Sequence, residues 1–206
     1  MNTNEAAAHR RILVIDDNQA IHQDFRKIFG SRDQSETALS EAESLLFGET
    51  AVATDRTEFQ LDSAFQGQEG LALVTKAKQE NHPYAMAFVD VRMPPGWDGI
   101  ETTIKIWEQD PEVQIVICTA YSDYSWDEMV ARLPQSDQLL VLKKPFDTIE
   151  ALQMAHALTE KWRLLQDTKF KLEHLQMNVD MRTKVLEREN AKLRAENESL
   201  RNLQAK

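Results

Sequence analysis

The sequence predicts an α/β fold, a doubly wound parallel sheet of five strands followed by a long helix. Three observations lead there. Over residues 10–160, short apolar runs alternate five times with polar segments of helical periodicity, the pattern of a parallel sheet covered by helices on both faces. The apolar runs show little internal alternation, as expected of strands buried on both sides. Beyond residue 166 there is no Pro, Gly or Cys, and Phe170 is the only aromatic amid Glu, Lys, Arg, Leu, Asn and Gln. That bias fits one long helix and not a packed domain.

The elements follow in order. Arg11–Ile15 (RILVI) is a compact apolar run that ends at Asp16-Asp17, hence a buried strand. Gln19–Phe29 carries a helical stripe of Ile21, Phe25, Ile28 and Phe29 and is stopped by Gly30. An insertion over about 30–58 follows, in which Ala38, Ala42, Leu45 and Leu46 mark a short amphipathic helix stopped by Gly48. Phe59–Ala64 is the second strand, and Gln68–Gln79 a helix with Leu71, Leu73 and Val74 inward. Ala85–Val89 is the third strand and Gly99–Glu108 the third helix. Gln114–Cys118 is the fourth strand, and Ser125–Arg132 a helix whose Ser125 and Glu128 have capping-box spacing. Leu139–Leu142 is the fifth strand, and Asp147 opens the last helix with Glu150 at the capping-box position.

Composition narrows the function. A net charge of −10 over 206 residues argues against a nucleic-acid-binding surface. No apolar stretch approaches the roughly 20 residues needed to cross a bilayer, and residues 1–9 read as a disordered lead-in without a signal peptide's apolar core. The single cysteine, Cys118, suits a reducing compartment and reads as a buried small hydrophobe. The expected setting is the cytoplasm, with no membrane association. The five histidines (His9, His22, His82, His156, His174) have no metal-ligand spacing, and none is read as a phosphodonor or zinc ligand.

In open sheets of this type ligands bind beyond the carboxyl ends of the strands. That rule gathers Asp16, Asp17, Asp90, Thr119 and Lys144 at one edge. An aspartate where a strand enters a turn often does no more than bond backbone amides. Three carboxylates at one rim, however, repel one another, and a hard divalent cation relieves the repulsion. A lysine and a hydroxyl beside them suit the oxygens of a phosphoryl group. With no Walker-type loop to hold a nucleotide, the chemistry indicated is phosphoryl transfer onto a carboxylate.

The motifs Asp16-Asp17, Asp90 within DVRMP, Thr119-Ala120 and Lys144-Pro145-Phe146 stand in order at strand ends. Together they resemble the receiver domain of two-component response regulators, over roughly residues 10–160. The resemblance implies strand order 2-1-3-4-5, with Asp90 as phosphoacceptor and Mg²⁺ held by Asp16, Asp17, Asp90 and the backbone carbonyl of Arg92. It further implies that Thr119 bonds a phosphoryl oxygen, that Lys144 pairs with the phosphoryl group, and that a cognate histidine kinase or phosphotransfer protein is the donor. Catalysis would be limited to self-phosphorylation and slow autodephosphorylation. Lys143 is expected to be a solvated charge.

Three departures from the pattern stand out. The insertion lengthens the spacing from Asp17 to Asp90 by about 30 residues. The PPGW run adds one residue beside the site and places Trp97 to cover it. Val141 stands where an aromatic switch residue is common, while Tyr121 and Tyr124 read as ordinary loop packing. The resemblance implies that Arg92 and Tyr121, two residues after Asp90 and Thr119, flank the path of an attacking water, so dephosphorylation is expected to be slow. The alternatives are a pseudo-receiver that serves as a dimerisation scaffold, and an Asp-nucleophile phosphatase. The phosphatase would want a second aspartate where Arg92 stands.

Residues 161–206 are expected to form a coiled coil. Leu158, Leu165, Leu172, Val179, Leu186, Leu193 and Leu200 recur every seven residues at d, with Asn190 and Asn197 among the a positions. Leu at d with Asn at a specifies a parallel two-stranded pairing. Glu189 facing Arg194, Glu196 facing Arg201 and Arg182 facing Glu187 are all attractive in that arrangement. The expectation is therefore a parallel homodimer through residues 158–203, looser over 166–183. A segment such as Arg182–Glu187 resembles those leading into diguanylate cyclases or histidine kinases, so an output domain is expected to be missing or separate.

Overall fold

A computed structural model of the protein describes residues 10–30, 59–120, 132–133 and 137–204. Nine elements are present among them: β1 (Arg11–Ile15), α1 (Gln19–Phe29), β2 (Gln60–Ala64), α2 (Gly67–Gln79), β3 (Met86–Asp90), α3 (Gly99–Gln109), β4 (Gln114–Thr119), β5 (Leu139–Lys143) and α4 (Thr148–Gln204). The strands pair in parallel in the order β2-β1-β3-β4-β5. The lead-in over 1–9, the helix expected within the insertion, Tyr121, Tyr124 and nearly all of the helix expected at Ser125–Arg132 lie outside the described residues.

Alternating residues of each strand feed opposite faces of the sheet, which is how continuous apolar runs build two cores. Leu13, Ile15, Ala87, Val89, Ile115 and Ile117 join Val74, Ile100 and Ile106 on one side. Ile12, Val14, Met86, Phe88, Val116 and Cys118 join Phe25, Phe29 and Leu158 on the other. The helix starts are fixed by side chains. Asn18 accepts from the Ala20 amide at 3.0 Å and Asp98 from the Glu101 amide at 2.7 Å. At the start of α4, Asp147 accepts from the Ile149 amide at 2.8 Å while Glu150 accepts from the Asp147 amide at 3.3 Å. This is the reciprocal capping expected from the sequence.

β3 and β4 each run one residue further than expected, so Asp90 and Thr119 are the last strand residues and not the first loop residues. The extra residue is paired: Asp90 stands in register with Cys118, and the Val91 amide donates to the Cys118 carbonyl at 3.1 Å. The opposite end of the sheet is pinned by Arg11. Its guanidinium donates to the His82 carbonyl at 2.5 Å, to Asp62 at 2.6 Å and to the Tyr84 hydroxyl at 3.1 Å. The Tyr84 hydroxyl itself donates to Asp62 at 2.7 Å, and burial followed by the Asp62 carboxylate pushes its pKa upward.

The chain divides into two compact units, Met1–Arg163 and Leu164–Lys206. Leu158 packs in a core of the first unit with Ala151 and Ala155, and Trp162 is also buried. This corrects the heptad reading: Leu158 is spent on the α/β core and Trp162 is buried, so exposed d-position side chains begin only at Leu165. In the second unit the helix carries Leu165, Leu172, Val179, Leu186 and Leu193 exposed along its length.

Candidate functional site

The ends of four strands converge at the carboxyl edge of the sheet. Asp16 follows β1, Asp90 closes β3, Thr119 closes β4 and Lys144 follows β5. Asp16, Asp17 and Asp90 each offer a carboxylate oxygen, and these oxygens lie within 4.8 Å of one another. The Lys144 ammonium is set among them, with Nζ 2.6 Å from Asp16 Oδ2 and 2.5 Å from Asp90 Oδ1. Its main chain is fixed too, since the Lys144 amide donates to the Thr119 carbonyl at 2.8 Å. Lys143, one residue earlier, is exposed as expected.

The remaining oxygens are held by the backbone. Asp90 Oδ2 accepts from the Arg92 amide at 3.0 Å, and Asp16 Oδ1 accepts from the Asn18 amide at 2.9 Å. Asp16 and Asp90 are 2% and 9% exposed, whereas Asp17 is exposed. Thr119 is buried and its hydroxyl donates to the Ala120 carbonyl at 3.1 Å. Arg92 has an exposed side chain and Trp97 is half-buried.

Burial raises the pKa of Asp90 and the charge on Asp16 adds to the rise; the Lys144 ammonium and the Arg92 amide pull against them without prevailing. Burial disfavours the charge on Lys144, yet its bonds to Asp16 and Asp90 outweigh burial and hold its pKa above the ordinary value. Burial pushes the Cys118 thiol up, so it is no nucleophile at neutral pH. The donor set at the rim is all oxygen, and three carboxylates against one lysine leave a surplus of negative charge. Such a set fits a small hard divalent cation.

The turn after β3 explains why glycine stands at 99. A Cβ there would lie 2.3 Å from the Asp90 carbonyl oxygen, so α3 starts hard against the strand end that carries the carboxylate. Two features of the site were not foreseen from sequence. His22 bonds the main chain of Asp16 from below, and Gln66 Nε2 donates to the Pro94 carbonyl at 3.3 Å, tying the PPGW loop to the end of β2. The signal for His22 was present, because it falls on the buried line of α1 with Phe25 and Phe29.

A family model described as the response regulator receiver domain matches residues 41–156, more than half of the chain. The chain belongs to the response regulator receiver domain family. The matched residues exclude β1 and with it Asp16 and Asp17; β1 nevertheless pairs between β2 and β3 and brings both to Asp90. Among solved structures, the receiver is similar to an adenylate cyclase from Rhodopirellula baltica, at 19% identity and TM-score 0.57, covering 80% of this chain and 97% of that one. It is similar to a CheY-like response regulator receiver domain protein from Methanospirillum hungatei, at 18% identity and TM-score 0.51, covering 75% and 98%. It is also similar to the signal receiver domain of an HD domain-containing protein from Pseudomonas fluorescens, at 16% identity and TM-score 0.53, covering 77% and 93%. These likenesses are of fold. No curated protein matches the chain. Membership places the receiver in phosphorelay signalling, as a signalling module of a class that is generally not enzymatic. No helix among the described residues is long and apolar enough to cross a membrane.

Proposed function

We propose that the receiver accepts a phosphoryl group on Asp90 from a histidine kinase or phosphotransfer protein. A carboxylate oxygen of Asp90 attacks phosphorus, the bond to the donor breaks, and an acyl phosphate forms. The observation that carries this reading is Lys144 Nζ bonded at once to Asp16 and Asp90. That ammonium offsets part of the carboxylate charge at rest and stands ready to pair with a phosphoryl oxygen once Asp90 has become an acyl phosphate. The Thr119 hydroxyl, which donates to the Ala120 carbonyl at rest, would exchange that bond for one to a phosphoryl oxygen. Mg²⁺, held by Asp16, Asp17, Asp90 and the Arg92 carbonyl, would supply charge neutralisation on the transferring group.

The module is read as residues 10–160 with the insertion at 30–58, its core reaching Trp162, and residues from Leu165 onward as a parallel dimeric coiled coil. The exposed d-position side chains and the complementary Glu and Arg of the g and e positions support that pairing. The coil would pass the phosphorylation state to an output domain or partner in the cytoplasm. Incubation with acetyl phosphate and Mg²⁺, followed by intact mass, tests the acceptor. The protein should gain one phosphoryl group and Asp90→Asn should gain none; equal labelling of both would refute the assignment.

A further inference from the structure

We propose that His22 is a positioning residue that sets the orientation of the acidic pair Asp16-Asp17. It lies on α1, 1% exposed, with ring Nε2 2.7 Å from the backbone carbonyl oxygen of Asp16. A carbonyl only accepts, so Nε2 is the ring nitrogen that donates. Nδ1 is buried with no hydrogen-bond partner among the described residues, so the Asp16 carbonyl is the ring's one hydrogen bond there. Phe65 closes over the ring with centroids 4.6 Å apart, and the Phe65 amide is itself fixed by Glu69 at 2.6 Å.

The geometry gives this bond its leverage. The Asp16 carbonyl and the Asp17 amide belong to one planar peptide, so fixing the carbonyl direction fixes the plane from which Asp17 departs. The amide of Asp16 is held from the other side, donating to the Ala64 carbonyl at 3.1 Å. With both of its peptides oriented, the Asp16 carboxylate lies between the Asn18 amide and Lys144, and Asp17 projects to the same rim. Without a donor at 22, a carbonyl in a 2% exposed residue loses its partner and the 16–17 peptide turns to find another. A leucine or phenylalanine would fill the space and leave that carbonyl unbonded.

The inference rests on the Mg²⁺ reading of the site, and its test separates the two. Mg²⁺ binding to the full chain is measured by calorimetry for the wild type and for His22→Leu, His22→Phe and His22→Gln, with urea unfolding of each alongside. The two donorless variants should bind Mg²⁺ about tenfold more weakly, the scale of lost outer-shell partners. Their rates of labelling by acetyl phosphate should recover at saturating Mg²⁺. His22→Gln, whose amide can donate from near the same place, should stay within about threefold of the wild type. Wild-type affinity in a folded donorless variant overturns the inference alone. So does an equal loss in His22→Gln, which would mark a packing role. A wild type that binds no Mg²⁺ overturns the metal reading and the inference with it.

Discussion

Asp90→Asn should make the receiver more stable in the absence of Mg²⁺, because the Asp90 carboxylate is held at a cost to the fold. Asp90 is 9% exposed, and its oxygens lie within 4.8 Å of those of Asp16 and Asp17. At an effective dielectric constant of about 20, the repulsion from Asp16 is at least roughly 3.5 kcal/mol, and the exposed Asp17 adds only a screened remainder. The Lys144 contact at 2.5 Å is worth roughly 7 kcal/mol on the same scale, but that ammonium is shared with Asp16 and does not offset the burial of the Asp90 charge. Burial is also the leading cause of the raised Asp90 pKa. The sign follows from linkage. A carboxyl with a raised folded pKa contributes stability that is fully present below its unfolded pKa and lost as pH rises through the folded value. At neutral pH the ionised side chain is therefore a net burden, while Asn keeps an acceptor for the Arg92 amide and leaves Lys144 paired with Asp16. The expected gain is about 1 kcal/mol, or roughly 2–4 °C in Tm for a unit of this size. Urea unfolding at about pH 7.5 should show it, and the difference from the wild type should shrink toward about pH 4, as Asp90 takes up its proton. Saturating Mg²⁺ should reverse the order by stabilising the wild type more. An Asp90→Asn protein no more stable than the wild type at neutral pH would refute this account of the site's electrostatics.

Lys144→Ala should lose about 1.5–3 kcal/mol of stability without Mg²⁺, because two buried carboxylates lose a charged hydrogen-bond donor. Urea unfolding with and without Mg²⁺ should show the deficit narrowing when the cation is present. Gly99→Ala places a Cβ 2.3 Å from the Asp90 carbonyl, so it should cost about 1–3 kcal/mol and slow acetyl-phosphate labelling together. Static light scattering should find the full chain dimeric at about tens of micromolar and a chain lacking residues 166–206 monomeric. A monomeric full chain would refute the heptad pairing.

Much of the fold was legible because the central strands β1, β3 and β4 are buried on both faces and so declare themselves as apolar runs. The edge of the sheet then followed from the rule for strand ends, which brought Asp16, Asp17, Asp90, Thr119 and Lys144 together by topology alone. The one-residue extension of β3 and β4 was not legible, since an aspartate or threonine in a ladder is indistinguishable from one in the turn after it. His22 escaped for a different reason: a polar residue on an amphipathic helix reads as solvent-facing, whereas α1 buries the line His22, Phe25, Phe29. Gln66 and Pro94 belong to loops distant in sequence, and no local pattern announces their bond. Leu158 and Trp162 were given to the coiled-coil seam because the heptad phase runs through them unbroken. A seven-residue period cannot say whether a buried face meets a sheet or another helix.

The pinning of Arg11 to His82, Asp62 and Tyr84 makes the sheet a beam clamped at one end and loaded at the other. β1, β2 and the approach to β3 meet in that clamp, so none can slide past its neighbour without breaking several bonds at once. A slip of a single residue would also turn each core inside out, delivering Phe88 to the side now filled by Val89. The beam therefore has no travel along its length. Whatever chemistry happens at the loaded end has to be absorbed by side chains, loops and helices, with the strands serving as the fixed reference against which that movement is measured.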